Sequence, residues 1–388
     1  MQDRLALMGG FFAFRSRGVL LGKPGIKMKN KIVVLNSKFL VIGLSSIAAA
    51  ILTGGCASTS GNGNASQPML AILDQFENAP AKGPGEADMP VRALPTNSVA
   101  ANWPGNGLAQ HPFLFYGEGN NVLYVVNHGK VVWTYALPRG GEIDDAWMLS
   151  NGHIICTKQS DCYEVTPQKE IVWSYHCPTN TQIHTCQPIG LDRVMIVQNG
   201  LPPHMIIFNK KDNSIVMSHE LPAVSATDIK TIHPQFRNCR VTAQGTYLTP
   251  FLVQTNVIEY DKDWNQIWSV HSEMPWQAVR LKNGNTLISG DPRGFVHEVN
   301  PKGEIVWAVE NNTLPGIVLS DVQTADRLDN GDTVICNRGR GNPVQLVEVT
   351  PDKKVVWALQ DYKNLPACTG IQLLDEPGIP ENPGDLQR

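Results

Sequence analysis

Lys130-Val-Val-Trp133, Glu170-Ile-Val-Trp173, Ser214-Ile-Val-Met217, Gln266-Ile-Trp268, Glu304-Ile-Val-Trp307 and Lys354-Val-Val-Trp357 are one phrase written six times. Successive copies lie 40, 44, 51, 39 and 50 residues apart. Each is followed within nine residues by a proline: Pro138, Pro178, Pro222, Pro275, Pro315 and Pro366. A period of this length marks an array of one supersecondary unit, and it has to be read before any local feature.

Working outward from the phrase defines the unit. Phe113–Tyr116, Val122–Val126 and Val131–Tyr135 are strand candidates separated by Gly/Asn turns. The pattern then repeats: a strand, a hairpin turn, a second apolar strand, a third ending in Thr-Pro or Asn-Pro, and the Trp strand. Asn151-Gly152, Asp192-Arg193, Gln244-Gly245, Asn283-Gly284 and Asn330-Gly331 hold the hairpin position. Asn-Gly predicts a tight turn with both central residues at positive φ. No helical periodicity runs through 113–376. Four antiparallel strands, six times, predict an all-β six-bladed propeller over 111–376, of WD40- or YVTN-like repeat architecture. Strands 113–135 lack an innermost partner, and Gly370–Leu374 lacks successors. Their pairing closes the ring and removes two open edges.

Aligning the innermost strands on their hairpins gives a column of Ala146, Cys186, Cys239, Ala278, Ala325 and Gly370. Every member is small, as crowding at a propeller axis demands. Cys186 and Cys239 are therefore read as small apolar side chains, not as metal ligands with His184 and His233. No metal site is expected, because the spacing matches no ligand pattern. The column before it holds Asp145, Thr185, Asn238, Gln277, Thr324 and Thr369, and the one before that Asp144, His184, Arg237, Trp276, Gln323 and Cys368. Innermost-strand entrances surround one mouth of the channel, where propellers bind ligands.

The candidate ligand-binding set is therefore Asp144, Asp145, His184, His233, Gln235, Arg237, Trp276, Gln277 and Gln323, with Glu142 and Asp321 on feeding loops. Acids, imidazoles, a guanidinium and an indole suit an anion or a sugar-like ligand. His233-Pro-Gln-Phe-Arg237 breaks the repeat, and departures from a repeat are where function resides. Cys336-Asn-Arg-Gly-Arg-Gly-Asn342 also departs from it, but lacks the Lys-Ser/Thr of a phosphate loop. The Trp stripe recurs in every blade and reads as packing.

Composition bounds the partners. The 388 residues carry a net charge of −3, so no broad basic field points to nucleic acid. Eight cysteines include Cys56 of a targeting segment, and the seven others make no even disulfide framework. That segment begins with Met28-Lys-Asn-Lys31, continues through apolar Phe39–Leu52 and ends Leu52-Thr-Gly-Gly-Cys56. It is short for a membrane span and has signal-peptide proportions. Its end resembles a bacterial lipobox, which implies a lipidated Cys56.

The expected organisation follows. Residues 1–27 are a dispensable extension ahead of a start at Met28, and 28–56 a lipoprotein signal. Residues 57–110 are a flexible tether, 111–376 the propeller, and 377–388 a polar, loose tail. Ala57 lacks the aspartate that holds lipoproteins at an inner membrane. The expected address is exported and lipid-anchored, at the outer membrane or cell surface.

Gly140-Gly-Glu-Ile-Asp-Asp-Ala146, Ile183-His-Thr-Cys-Gln-Pro188, His233-Pro-Gln-Phe-Arg237, Arg280-Leu-Lys-Asn-Gly-Asn-Thr286, Glu348-Val-Thr-Pro351 and Ile371-Gln-Leu-Leu-Asp375 resemble exported bacterial propellers of the PQQ-like, or quinoprotein-like, class. The resemblance spans about 110–376 and implies the fold. PQQ dehydrogenases of that class are eight-bladed and place an adjacent cysteine pair over the quinone. This chain has six repeats and no Cys-Cys, so no cofactor, PQQ included, is expected.

Two functional readings stay open. One is a membrane-anchored propeller binding a small polar molecule, a carbohydrate or a protein partner at the axial mouth. The other is an exported enzyme, arylsulfotransferase-like or glycan-acting, using the same acids, imidazoles and arginine.

Overall fold

The structure, a computed structural model, describes residues 69–87, 102–138, 141–291, 293–339, 341 and 343–388. Cys56 and the signal segment lie outside the described residues. Among the described residues no helix is long and apolar enough to cross a membrane.

Six four-stranded antiparallel sheets form the propeller. The first blade contains β1 (Phe113–Glu118), β2 (Val122–Asn127) and β3 (Lys130–Ala136). The second runs through β4 (Ala146–Met148), β5 (Ile154–Lys158), β6 (Asp161–Val165) and β7 (Ile171–His176). β8 (Gln182–Ile189), β9 (Arg193–Asn199), β10 (His204–Asn209) and β11 (Ser214–Glu220) make the third. The fourth has β12 (Arg240–Val241), β13 (Tyr247–Phe251), β14 (Asn256–Tyr260) and β15 (Gln266–His271). β16 (Pro275–Arg280), β17 (Thr286–Gly290), β18 (Phe295–Val299) and β19 (Ile305–Glu310) make the fifth. The sixth has β20 (Val322–Arg327), β21 (Thr333–Asn337), β22 (Leu346–Val349) and β23 (Val355–Leu359). β24 (Ala367–Leu373) returns to the first blade, with Phe113 opposite Leu373 and Phe115 opposite Ile371. The ring thus closes as the unpaired strands at the two ends of the array require.

The Asn-Gly turns differ from expectation. Gly152, Gly284 and Gly331 have φ of 85°, 87° and 93°, but the preceding asparagines do not enter the left-handed region. Each asparagine oxygen instead accepts the backbone N–H two residues on, as from His153 to Asn151 at 3.0 Å and from Asn285 to Asn283 at 2.9 Å. The loop is longer than a two-residue hairpin, and only its last position needs glycine.

The repeated phrase does more than fill a sheet. Glu164 pairs with Trp173 and Val165 with Ile171, so Val172 sits in a β-bulge. The same shift recurs at the phrase in all six blades. A bulge twists an outer edge away from further pairing. It also aims the indole at the next blade. The indole N–H of Trp133, Trp268 and Trp307 donates to the carbonyls of Pro167, Pro301 and Pro351 at 2.8–3.0 Å, each in the following blade. Trp173 donates to Asn213 at 2.6 Å.

In four seams a cation of the following blade reinforces the latch, the first being Lys169, 5.8 Å over Trp133. Arg280 lies 4.9 Å over Trp268 and pairs with Glu259, and Arg327 lies 5.3 Å over Trp307 and pairs with Glu298. Lys210 pairs with Glu164.

The closing seam cannot use this device, since β2 and β3 are joined by only His128 and Gly129. Residues ahead of β1 supply the missing parts. Gly107 gives the carbonyl for Trp357 at 2.9 Å. His111 replaces the arginine, binding Glu348 at 3.2 Å and Asp375 at 2.7 Å. Burial works against its charge, but these two carboxylates prevail and raise its pKa to about 9. Further upstream, the short helix α1 (Leu73–Glu77) packs Leu73 and Phe76, with Met69, against Trp133 and Tyr135.

Candidate functional site

Two departures from regular strand build the near mouth of the channel. β4 starts only at Ala146, and β12 is confined to Arg240–Val241. The freed stretches 141–145 and 232–239 carry Glu142, Asp144, His233 and Arg237. Gln182 and His184 come from β8, Trp276 from β16 and Gln323 from β20.

Most of these side chains form one connected network. His184 Nδ1 shares a hydrogen bond with Asp144 Oδ2 at 2.5 Å, and both side chains are buried. His184 Nε2 faces the Gln182 amide oxygen at 3.1 Å, which also accepts His233 Nδ1 at 2.8 Å. Arg237 Nη2 donates to His233 Nε2 at 3.0 Å, while Nη1 donates to the carbonyls of His233 and Phe236. An acceptor Nε2 fixes His233 as the neutral Nδ1–H tautomer. The guanidinium lies 4.7 Å over the Trp276 ring. Glu142 stands 3.4 Å from His233 Nε2 and against Asp144.

Burial sets the protonation states. It pushes His233 down to about 3, helped by Arg237 and His184, and holds His184 well below its usual value. Glu142 and Asp144 are both raised above the carboxylate range, first by burial; each also feels a neighbouring carboxylate, Asp144 for Glu142 and Asp145 for Asp144. The network thus joins two neutral imidazoles to carboxyls that resist losing their last proton.

The opposite wall was only partly legible. Arg338, from the Gly/Arg loop, joins Glu118 at 2.5 Å and Asp321, and Gln323 donates to Glu118 at 3.3 Å. Several buried polar atoms here have no partner: Arg237 Nε, Trp276 Nε1 and Gln323 Oε1. Gln182, Glu118 and Arg338 are site residues that the strand columns did not nominate.

Three candidates do other work. Asp145 turns from the mouth, accepting Cys186 N–H at 3.1 Å and pairing with Arg240 at 2.9 Å. Gln277 accepts Ala325 N–H at 2.7 Å. Thr185, in the same column, accepts Cys239 N–H at 3.1 Å. Asp145, Thr185, Gln277 and Thr324 in this column each tie an innermost strand to the next, while the Asn238 amide and the Thr369 hydroxyl are buried without a partner. Gln235 accepts Val224 N–H and donates to the Gly200 carbonyl, anchoring its own loop. The small column is buried as crowding requires, and a Cβ on Gly370 would overlap the Tyr116 ring.

The far mouth is filled. Residues 377–388, expected to be loose, cross it and touch every blade. Glu381 accepts Ser150 N–H at 3.1 Å and its carbonyl accepts Gly190 N–H at 2.8 Å. Gln387 accepts Lys282 N–H at 2.8 Å and pairs with Arg327 along the backbone. Arg388 is buried 4.1 Å over Trp147, donating to Tyr116 at 3.2 Å and to the Ile371 carbonyl at 3.0 Å. Asp326 lies 3.7 Å from it, and Arg240 donates to the Arg388 carbonyl at 2.9 Å. Polar composition suggested disorder; one buried arginine supplies the packing instead.

No protein-family model and no curated protein matches the chain. Among solved structures, a protein of unknown function from Bacteroides caccae aligns with a TM-score of 0.61 and 24% identity. The match covers 67% of this chain and 98% of that one, and it bears on the fold alone. Streptogramin B lyase aligns at 0.47 and 11% identity over 70% of this chain and 95% of its own. BamB from Moraxella catarrhalis aligns at 0.37 and 13% over 59% and 67%.

Proposed function

We propose that this chain is an extracytoplasmic, lipid-anchored propeller that binds, at the near mouth, a polar ligand rich in hydroxyl groups, which both donate and accept. A carbohydrate or a polar segment of a partner protein has that character. Membership of the PQQ-like class belongs to the same reading, as does the absence of a bound cofactor. The observation that carries it is the set of buried, unpartnered polar atoms Arg237 Nε, Trp276 Nε1 and Gln323 Oε1 at one mouth. Buried polar groups ordinarily find partners, and a group left without one marks a place for a ligand or water. The carboxyl-rich wall argues against the anion that Arg237 suggested from the sequence. That guanidinium is already engaged with His233, Phe236 and Trp276.

The test is a glycan array, followed by calorimetry on any hit, with the wild type and the Trp276→Phe and Gln323→Ala variants. Binding weakened at least tenfold in both variants is expected. Binding that survives both places the ligand elsewhere. Membrane association of the full chain should depend on Cys56, and a Cys56→Ser variant that still fractionates with membranes defeats the anchor.

One observation favours the enzyme reading. Glu142, held protonated, lies 3.4 Å from neutral His233. A proton donor beside an imidazole is the raw material of acid–base catalysis. His184 is a poor nucleophile, being fully buried with Nδ1 on Asp144. Turnover of aryl sulfates or aryl glycosides that disappears in Glu142→Gln supports catalysis; none in the wild type removes it.

A further inference from the structure

The seam between the fourth and fifth blades lacks what fills the other five. Two residues beyond the repeated Trp position, blades one to three carry Tyr135, Tyr175 and His219. Each ring packs toward the blade ahead. Tyr135 shares an apolar cluster with Tyr163, Tyr175 lies 4.5 Å from Phe208, and His219 stacks 3.7 Å from Trp264. Blades five and six carry Val309 and Leu359 instead. Both are buried, because long connections lay Leu314 and Ile317 over the first and Leu365 over the second.

The fourth blade has Val270 at this position, and only Ser272–Met274 connects β15 to β16. Neither a ring nor a loop covers the seam. A cleft of about 640 Å³ is left, lined by Val270, Phe295 and His297, with Glu273, Arg293 and Glu310 at its rim. One wall is already ordered: the His297 ring packs 4.5 Å from Phe295 and its Nε2 meets Glu310 at 3.0 Å. At the rim, the Asn311 side-chain oxygen is buried without a partner. The volume lies in the range of small-molecule pockets, roughly 300–1,000 Å³.

We propose that this cleft binds a small planar aromatic molecule, its ring taking the place that Tyr135, Tyr175 and His219 fill in the first three seams. Ring against ring is the favoured contact at Phe295. Asn311 and Arg293 offer an acceptor and a donor to polar substituents on the ring. The site is separate from the near mouth, and it stands or falls independently of the ligand proposed there.

The test uses the full chain, titrated with indole and, separately, with cyclohexanol, followed by methyl NMR. Indole is expected to bind saturably, in roughly the millimolar range of single-ring fragments. Shifts should be confined to Val270, Ile288, Val299 and Ile305. Cyclohexanol, lacking an aromatic face, should bind at least fivefold more weakly. Val270→Tyr, which supplies the missing ring from within, should raise the melting temperature and weaken indole at least tenfold. Phe295→Leu, which keeps apolar bulk without the ring, should weaken indole several-fold. No saturable shift, equal binding of cyclohexanol, or indole affinity unchanged in both variants overturns the proposal.

Discussion

At the far mouth Arg240 and Arg388 meet Asp145 and Asp326, two cations against two carboxyl groups, and the chain's own tail completes the set. At the near mouth Arg237 and Arg338 face Glu118, Glu142, Asp144 and Asp321, two cations against four carboxyl groups. The two ends use the same chemistry to opposite effect. Where the chain supplies an arginine, the indole of Trp147 is covered and the channel is sealed. Burial raises carboxyl pKa values at both ends, Asp326 to about 7 and Glu142 to about 8, and both ends hold buried polar atoms without a partner, Trp147 Nε1 and Arg388 Nη1 at one, Arg237 Nε and Trp276 Nε1 at the other. The ends differ in coverage and in balance: the tail caps one, and carboxyl groups outnumber cations at the other.

Four experiments break or sharpen that contrast. Arg388→Ala should cost the most, about 3 kcal/mol by urea denaturation, since it strips a buried carboxylate of its cation. Protonation of Asp326, already raised to about 7 by burial, limits the loss at low pH. Ligand affinity at the near mouth should not change, and a change would show that the ends are coupled.

Glu142→Gln tests the near mouth through pH. The folded state holds Glu142's proton where the unfolded chain has released it, so this group makes stability fall as pH rises above the carboxylate range. Removing it should flatten that decline by roughly 2 kcal/mol between pH 4 and 8. An unchanged slope would place the proton elsewhere.

His111→Gln probes neither mouth but the closing seam, and its sign is the reverse. A base raised to about 9 contributes below its unfolded value of 6.5, and the contribution fades as pH rises toward 9. The variant should be less stable by about 1–2 kcal/mol at pH 6 and equal to wild type above pH 9. A deficit independent of pH would reduce His111 to packing.

The smallest stability effect is expected for Trp276→Phe, within about 0.5 kcal/mol, because the lost N–H had no partner. Its ligand affinity should still fall. A large destabilisation would mean that the indole is structural, like Trp147 at the sealed end.

The fold was legible because the repeat converts a weak local signal into six consistent ones. Bulge, latch and closure all hang on positions the Trp phrase numbers. The near mouth was half legible. Asp144, His184, Arg237, Trp276 and Gln323 share one column, but Asp145 and Gln277, one residue along, hold innermost strands together. Alternation along a strand was the signal that separates the two columns. Glu118, Gln182 and Arg338 lie at strand ends, where loops rather than registers decide what converges. The tail was misread because its polar residues are common in disordered segments, and composition cannot show that Arg388 has an indole to cover.

Residues 69–87 and 102–111 also decide how force enters the molecule. Tension applied ahead of Met69 first meets Met69, Leu73 and Phe76, held in the core beside Trp133. It next meets Lys169, which grips the Ala81 carbonyl at 2.7 Å and Glu86 at 3.3 Å. The Gly107 and His111 contacts follow, and only then β1, flanked by β24 and β2. The strand that closes the ring is therefore loaded last, and in shear along two ladders rather than peeled from an edge. A pull on this end is thus spent on side-chain latches before it reaches the ladders that close the ring.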